Sequence, residues 1–293
     1  MSAPGREALR AHLAMVLFAA AISVSFSLGH RAAPHISPEA LTLARFAVAG
    51  AVMGALAGLR LRAEHFAAPW RYPLLGGLLA FYFVMMFEAL RLTDAVSTAA
   101  VFTLTPAMSA VFGWVLMRQR AGPRMALALA LGSAGAVWVI FRGERGRILA
   151  LDLGPGEAIF LAGCAAHALY APLVPRLNRG EPVVVFTALT VAGGLVPLAL
   201  WAGPSAVATG WSALPAVVWA AVGYLGVVAT AGTFFLVQFA SLRIKAAQVM
   251  AYGFLVPVFV VVWEGLLGGE WVALPVWLGV VAVLGALGLL LRA

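Results

Sequence analysis

Ten apolar stretches, each long enough to cross a bilayer, account for nearly the whole of this chain, and no water-soluble fold can hide them all. They run over residues 11–29, 37–59, 70–90, 95–117, 125–141, 153–174, 182–201, 214–239, 246–267 and 271–291. Of 293 residues, 63% are hydrophobic and only 10% are charged, against about 25% charged in a soluble domain. Lipid, and not the protein's own core, must therefore cover much of that surface. The longest connection, residues 142–152, is too short for a soluble domain, so function has to reside in the helices and the space between them. Arg6 and Arg10 ahead of the first run imitate a signal peptide, but nine further spans behind it favour an uncleaved first helix.

The runs form one unit written twice. Residues 95–127 lie on residues 246–278 without a gap, placing Pro106 on Pro257, Ala95 on Ala246, Ala100 on Ala251, Leu104 on Leu255, Val111 on Val262, Leu116 on Leu267 and Leu127 on Leu278. Val48, Ala49 and Gly50 recur as Val191, Ala192 and Gly193. Five runs precede the 142–152 connection and five follow it. An odd number of spans per unit turns the second copy upside down. The expected architecture is an all-α integral membrane protein of ten transmembrane helices in two inverted five-helix repeats, residues 1–145 and 146–293. Such repeats build interchangeable faces around one central site, which points to transport. Pro106 and Pro257 each lack a donor and free the carbonyl four residues earlier, at Phe102 and Gly253, so paired bends acting as hinges beside the cavity are expected. Gly132 with Gly135 and Gly285 with Gly288 predict close approach of the fifth and tenth helices.

Charge sets the orientation. With the amino terminus in the cytoplasm, Arg6, Arg10, Arg60, Arg62, Arg71, Arg118, Arg120, Arg124, Arg176, Arg179, Arg243, Lys245 and Arg292 lie inside. Only Arg31, Arg91, Arg142, Arg145 and Arg147 lie outside, with Arg45 within a span. Thirteen against five places both termini in the cytoplasm of a cytoplasmic (inner) membrane protein. The net charge of +8 thus reads as membrane topology and not as a nucleic-acid surface. Trp70, Trp201, Trp211 and Trp271 fall at span ends as interface anchors. A single cysteine, Cys164, excludes an intramolecular disulfide and a cysteine metal cluster. Paired metal-spaced histidines, a serine nucleophile elbow and a glycine-rich phosphate loop are all missing from the sequence, which argues against an enzyme and a nucleotide-driven pump. No cofactor and no metal are expected. The expected partners are a small-molecule substrate and membrane lipids, with the chain a monomer. An intramembrane enzyme and a structural scaffold are the readings from other classes.

The chain resembles the drug/metabolite transporter superfamily, specifically its EamA-type ten-helix members. The likeness rests on Arg45 after Pro38 in the second run, Leu104 to Pro106 in the fourth, Leu255 to Pro257 in the ninth, and Gly269 with Glu270 before the tenth. Gln119 departs from it, standing where the first half of the family usually carries an acidic counterpart of Glu270. The resemblance implies a secondary carrier that works by alternating access. Similar members export amino acids, including aromatic ones, purines, drugs or sugar phosphates.

Polar residues inside the runs are the candidates for a site, since a charge in a span is costly and usually faces the interior. Arg45 is expected to be a brace paired with Glu88 or Glu264; the alternative is an outer gate or an anchor for a substrate carboxylate. Arg91, three residues after Glu88, offers that glutamate a local partner. His167 and Tyr170 share a face with Cys164, and Ser23, Ser27 and His30 form a similar stripe. Tyr82 with Met86 in the third run, and Gln248 with Tyr252 in the ninth just before Pro257, are spaced four apart and suit a flat apolar solute. The expected substrate-binding set is His167, Tyr170, Tyr82, Met86, Gln248, Tyr252, Ser23 and Ser27. The gating or bracing set is Arg45, Glu88, Glu264, Pro106 and Pro257. His167 and Glu264 are the groups available for proton coupling. The favoured solute is an amino acid with an aromatic or hydrophobic side chain; a purine or drug is the alternative.

Overall fold

Fourteen α-helices make up the computed structural model, which describes residues 3–119, 122–150, 153–266 and 273–291. Arg120, Leu267, Gly269, Glu270, Trp271 and Arg292 lie outside the described residues. The spans are α1 (Ala3–Ala32), α2 (Pro38–Ala57), α3 (Arg71–Leu92), α4 (Ala95–Phe102) with α5 (Thr105–Met117), and α6 (Pro123–Ile140). After the short α7 (Arg145–Ala150) come α8 (Pro155–Leu177), α9 (Val183–Ala208), α10 (Ala216–Gly226) with α11 (Thr233–Ser241), α12 (Ala246–Ala251) with α13 (Val256–Leu266), and α14 (Leu274–Leu291). Among the described residues, nine helical stretches are long and apolar enough to cross a membrane, and a shorter apolar helix, Val276–Leu289, supplies the tenth. Large apolar side chains at Leu17, Trp114, Leu127, Leu200 and Leu278 face outward, as a lipid-covered surface requires. Trp70 is exposed at the start of α3, whereas Trp201 is exposed within α9, which continues past it to Ala208, and Trp211 donates its indole N–H to the Ala206 carbonyl (2.8 Å).

The packing has the two-fold pattern of an inverted repeat. Helix α3 packs on α8 and α9, and its counterpart, α10 with α11, packs on α1 and α2. The three remaining counterpart pairs meet each other: α2 with α9, α6 with α14, and α4–α5 with α12–α13. The echoed tripeptides sit in one of these self-paired contacts, where a Cβ on Gly50 would stand 3.8 Å from Cγ1 of Val191.

The close approach of α6 and α14 uses Gly135, as expected, but its partner on α14 is Gly279 and neither Gly285 nor Gly288. A Cβ at Gly135 would lie 2.9 Å from the Gly279 carbonyl oxygen, and one at Gly279 would lie 2.8 Å from that of Gly135. Around Gly285 the nearest atom, on Leu131, is 3.8 Å away, and Gly288 meets nothing within 4 Å. The three-residue spacing drew attention to Gly285 and Gly288, but helix rotation decides which glycine faces the neighbour. Gly132 makes room for the Phe254 ring, 2.3 Å from its would-be Cβ.

Both repeat prolines sit at the start of a second helical piece. In the first repeat a tight turn at Thr103 and Leu104, with amides bonded three residues back to Ala100 and Val101 (both 3.0 Å), separates α4 from α5. The Phe102 carbonyl that Pro106 cannot reach accepts the Thr105 hydroxyl at 2.5 Å. Val256 occupies the matched position in the second repeat and has no hydroxyl. There a 3-10 turn, Tyr252–Leu255, lets the Val256 amide reach the Gly253 carbonyl. One backbone problem thus has two local solutions.

Candidate functional site

An aromatic box lies where α1, α3, α8 and α11 converge. The walls include Phe18 and Ile22 from α1, Tyr82 and Phe83 from α3, His167 and Tyr170 from α8, and Thr233, Phe234 and Val237 from α11. The His167 ring stacks on Tyr82 (centroids 4.5 Å apart, 28° between planes) and on Phe102 (5.4 Å, 19°). Tyr82 also packs on Phe160 (5.5 Å), and Phe26 touches both Phe102 and Phe160 (each 6.1 Å). The cavity left between the walls is about 10 Å³, room for the centre of roughly one water molecule. Two polar atoms of this box, His167 Nδ1 and the Tyr82 hydroxyl, are buried without a hydrogen-bond partner. Buried polar groups are normally satisfied, so these two atoms call for a partner beyond the protein, a water or a ligand.

Tyr170 is fixed by a network that sequence reasoning passed over. Gln238, fully buried on α11, donates from Nε2 to the Tyr170 hydroxyl (2.9 Å) and to Thr190 Oγ1 (3.2 Å), while its Oε1 accepts from Thr187 Oγ1 (2.6 Å). The signal was present: a lone amide between Phe234 and Phe239, and two threonines three apart in the seventh run. Gln248, the glutamine expected in the site, is the one nearer the second proline.

Arg45, the eighth residue of α2, is fully buried and meets no carboxylate among the described residues. Its Nε donates to Thr230 Oγ1 (2.8 Å) and its Nη2 to the Ala229 carbonyl (2.9 Å). Its Cζ stands 3.6 Å from the centroid of Phe83 and 5.5 Å from that of Phe87. These acceptors face α2 because Val227–Gly232 is a π-helix, whose wider turn lets the Thr230 hydroxyl donate to Leu225, five residues back (2.7 Å). An intramembrane arginine costs ~2.5–3.5 kcal/mol on insertion scales. A desolvated cation–π contact contributes ~2 kcal/mol and each charge-assisted hydrogen bond ~1.5–3 kcal/mol. Neutral groups therefore suffice to hold it.

The expected brace of Arg45 by a glutamate is overturned. Glu88 pairs with Arg91 at 3.2 Å, the local partner three residues along. Glu264, on α13, has its Oε1 buried with no hydrogen bond, and Arg45 has turned to the π-helix instead. Other expected members of the site are dispersed. Met86 is buried one turn beyond Tyr82 but does not line the box. Gln248 stands at the start of α12, where its Oε1 caps the Lys245 amide (3.3 Å). With Gln119, Ser241 and Arg243 it lines a separate open pocket of about 400 Å³. Only three residues into the ninth span, it is too near the end to reach the middle. Tyr252 shares a 2.9 Å hydrogen bond with His12 Nδ1. Ser23 donates to its own helix at Ala20 (2.8 Å) and accepts the Trp263 indole N–H (3.1 Å), and the buried Ser27 hydroxyl has no partner. His30 Nδ1 donates to the Leu90 carbonyl (2.9 Å).

A second buried arginine lies at the amino-terminal end of α3, the end shared with the start of α1. Arg71 meets Glu181 at 2.7 Å, bonds the Ala68 and Leu177 carbonyls, and is joined by the Tyr72 hydroxyl, which donates to the His65 carbonyl (2.6 Å). Burial alone would raise the Glu181 carboxyl, but hydrogen bonds from Arg71 and the Arg179 amide hold it below the usual carboxylate range. At the opposite end Glu157 accepts from Thr93 and Ser97 (both 2.6 Å), beside an apolar pocket of about 290 Å³ lined by Leu104, Phe141 and Leu161. Among the described residues no group of three or more histidine, cysteine or acidic side chains is placed to hold a metal.

Comparison with known proteins agrees with this architecture. A crystal structure titled only as that of a protein superposes with a TM-score of 0.70 at 20% identity, over 97% of this chain and 96% of the other, which shows the shared fold. The Bacillus subtilis (strain 168) protein named "Uncharacterized transporter YyaM" is 23% identical over 222 residues, 74% of this chain and 72% of that protein. The EamA-like transporter family matches twice, over residues 9–141 and 154–292, one match for each five-span unit. The chain belongs to the EamA-like transporter family and is a membrane transporter of small solutes.

Proposed function

We propose that this transporter exports small amphipathic organic solutes, amino acids with aromatic or hydrophobic side chains foremost, by alternating access. The observation that supports the reading is the aromatic box, whose stacked Tyr82, His167 and Phe102 rings offer flat apolar faces beside orphaned hydrogen-bonding atoms. Its volume of about 10 Å³ is far below the ~300 Å³ at the small end of ligand pockets. The box must open to load, and the breaks at Pro106 and Pro257 are where helical halves can tilt. The carrier is read as a monomer in the cytoplasmic membrane; the placement of both termini inside is supported by the distribution of arginines.

Flux in proteoliposomes across a panel of amino acids and purines tests it. Tyr82→Ala should slow aromatic amino acids about tenfold and small ones far less, because the lost contact scales with buried area. Reporter fusions at each end should both give cytoplasmic signals. Unchanged flux of every solute in Tyr82→Ala and His167→Ala, at matched amounts of folded protein, would move the site elsewhere.

A further inference from the structure

Arg45 is held in place without being neutralised. Its contacts are a hydroxyl, a carbonyl and two aromatic faces. The hydroxyl is fixed as an acceptor because Thr230 gives its own proton to Leu225, and Thr233 shares the Ala229 carbonyl by donating to it at 2.9 Å. This set orients the guanidinium tightly, yet Nη1 remains buried with no hydrogen-bond partner. The same Phe83 that covers Arg45 at 3.6 Å also lines the central box, and Thr233, one turn from Thr230, lines it too. Arg45 is thus one aromatic ring away from the cavity, whose lining includes Tyr82 with its orphaned hydroxyl. A cation preorganised in this way, with a donor left over and an anion missing among the described residues, has the chemistry of an anion receptor.

We propose that Arg45 is the anion-recognition point of the central site: the carboxylate of a solute in the aromatic box displaces the Phe83 ring and is bound by Arg45 Nη1. The proposal rests on the box being the substrate site, as read above, and adds the functional group that selects the substrate. Phe83 is a shutter over the charge, stacked at 9° on Phe234 (5.9 Å) when closed. A purely structural Arg45 would be indifferent to what the solute carries.

The test compares phenylalanine, 3-phenylpropionate, which lacks the amine, and phenethylamine, which lacks the carboxylate, in proteoliposomes. The wild-type protein should move the two carboxylates about tenfold or more faster than the amine, since a site built to bond a group discriminates against an analogue without it. Arg45→Gln should abolish that preference by slowing the carboxylates and leaving the amine within about twofold, with Arg45→Lys intermediate. The wild-type comparison needs no variant, so it stands even if Arg45→Gln fails to fold. Phenethylamine moving as fast as phenylalanine, or a parallel loss of all three in folded Arg45→Gln, overturns the proposal. Tyr82→Trp, which fills the box, separates the two readings. If Tyr82→Trp blocks flux while the carboxylate preference is missing, Arg45 is not the receptor and the site stands. If Tyr82→Trp transports normally, the site itself is wrong, and the proposal falls with it.

Discussion

Two buried arginines are held in opposite ways. Arg71 is 2% exposed and Arg45 is 0% exposed. One has a carboxylate at 2.7 Å and the other has none among the described residues. Arg71 sits at a span end and ties the start of α3 to the loop between α8 and α9, joining the two repeats. Arg45 sits inside a span against a π-helix, held by neutral groups only. A buried ion pair satisfies both charges and resists separation, so it suits a clamp. A charge fixed by dipoles and rings keeps its field for something else.

The comparison breaks most easily at Arg71. Arg71→Ala should destabilise the folded protein by about 3–5 kcal/mol, because Glu181 is left buried and uncompensated. Neutralising both groups, as Arg71→Met with Glu181→Gln, should recover part of the loss. Thermal unfolding in detergent measures each, and additive effects of the two changes would show that the pair is not coupled.

A pH series sharpens the same point with a smaller effect. The Glu181 carboxyl is lower in the folded protein than its ordinary value of 4.5, so its stabilisation is fully present above about 4.5. It is lost as pH falls from there through the folded value. The wild-type melting temperature should therefore drop below about pH 4.5 more steeply than that of Glu181→Gln. Parallel curves would remove Glu181 from the clamp.

The smallest effect on stability belongs to Arg45→Met. Replacing a buried charge that lacks a counter-ion by an apolar chain should change stability by under about 1 kcal/mol, since lost hydrogen bonds are offset by the desolvation no longer required. Thermal unfolding of Arg45→Met beside Arg71→Ala tests the contrast. Equal losses would make both arginines architectural.

Sequence periodicity found what depends on one helix at a time. Apolar length marked the spans, the matched prolines located both helix breaks, and the spacing of His167 and Tyr170 put them on one face of α8. It failed where the answer depended on a second helix. Nothing local to Arg45 says that α2 will face a π-helix in α10–α11; Gln248, by contrast, was misplaced although its position three residues into the span 246–267 was legible. Gln238 was visible as a lone amide, but its three partners come from α8 and α9.

The sequence by itself determined that this chain lives in a membrane, that its helices are written twice, and where the fourth and ninth spans break, because those properties follow from hydropathy, internal repetition and the missing proline N–H at Pro106 and Pro257. Only the tertiary structure decided which glycines touch, which arginine is paired and which aromatic rings enclose the central cavity. In a bilayer the apolar faces of helices are nearly interchangeable, so rotation and partner choice are set by packing and by a few buried polar contacts.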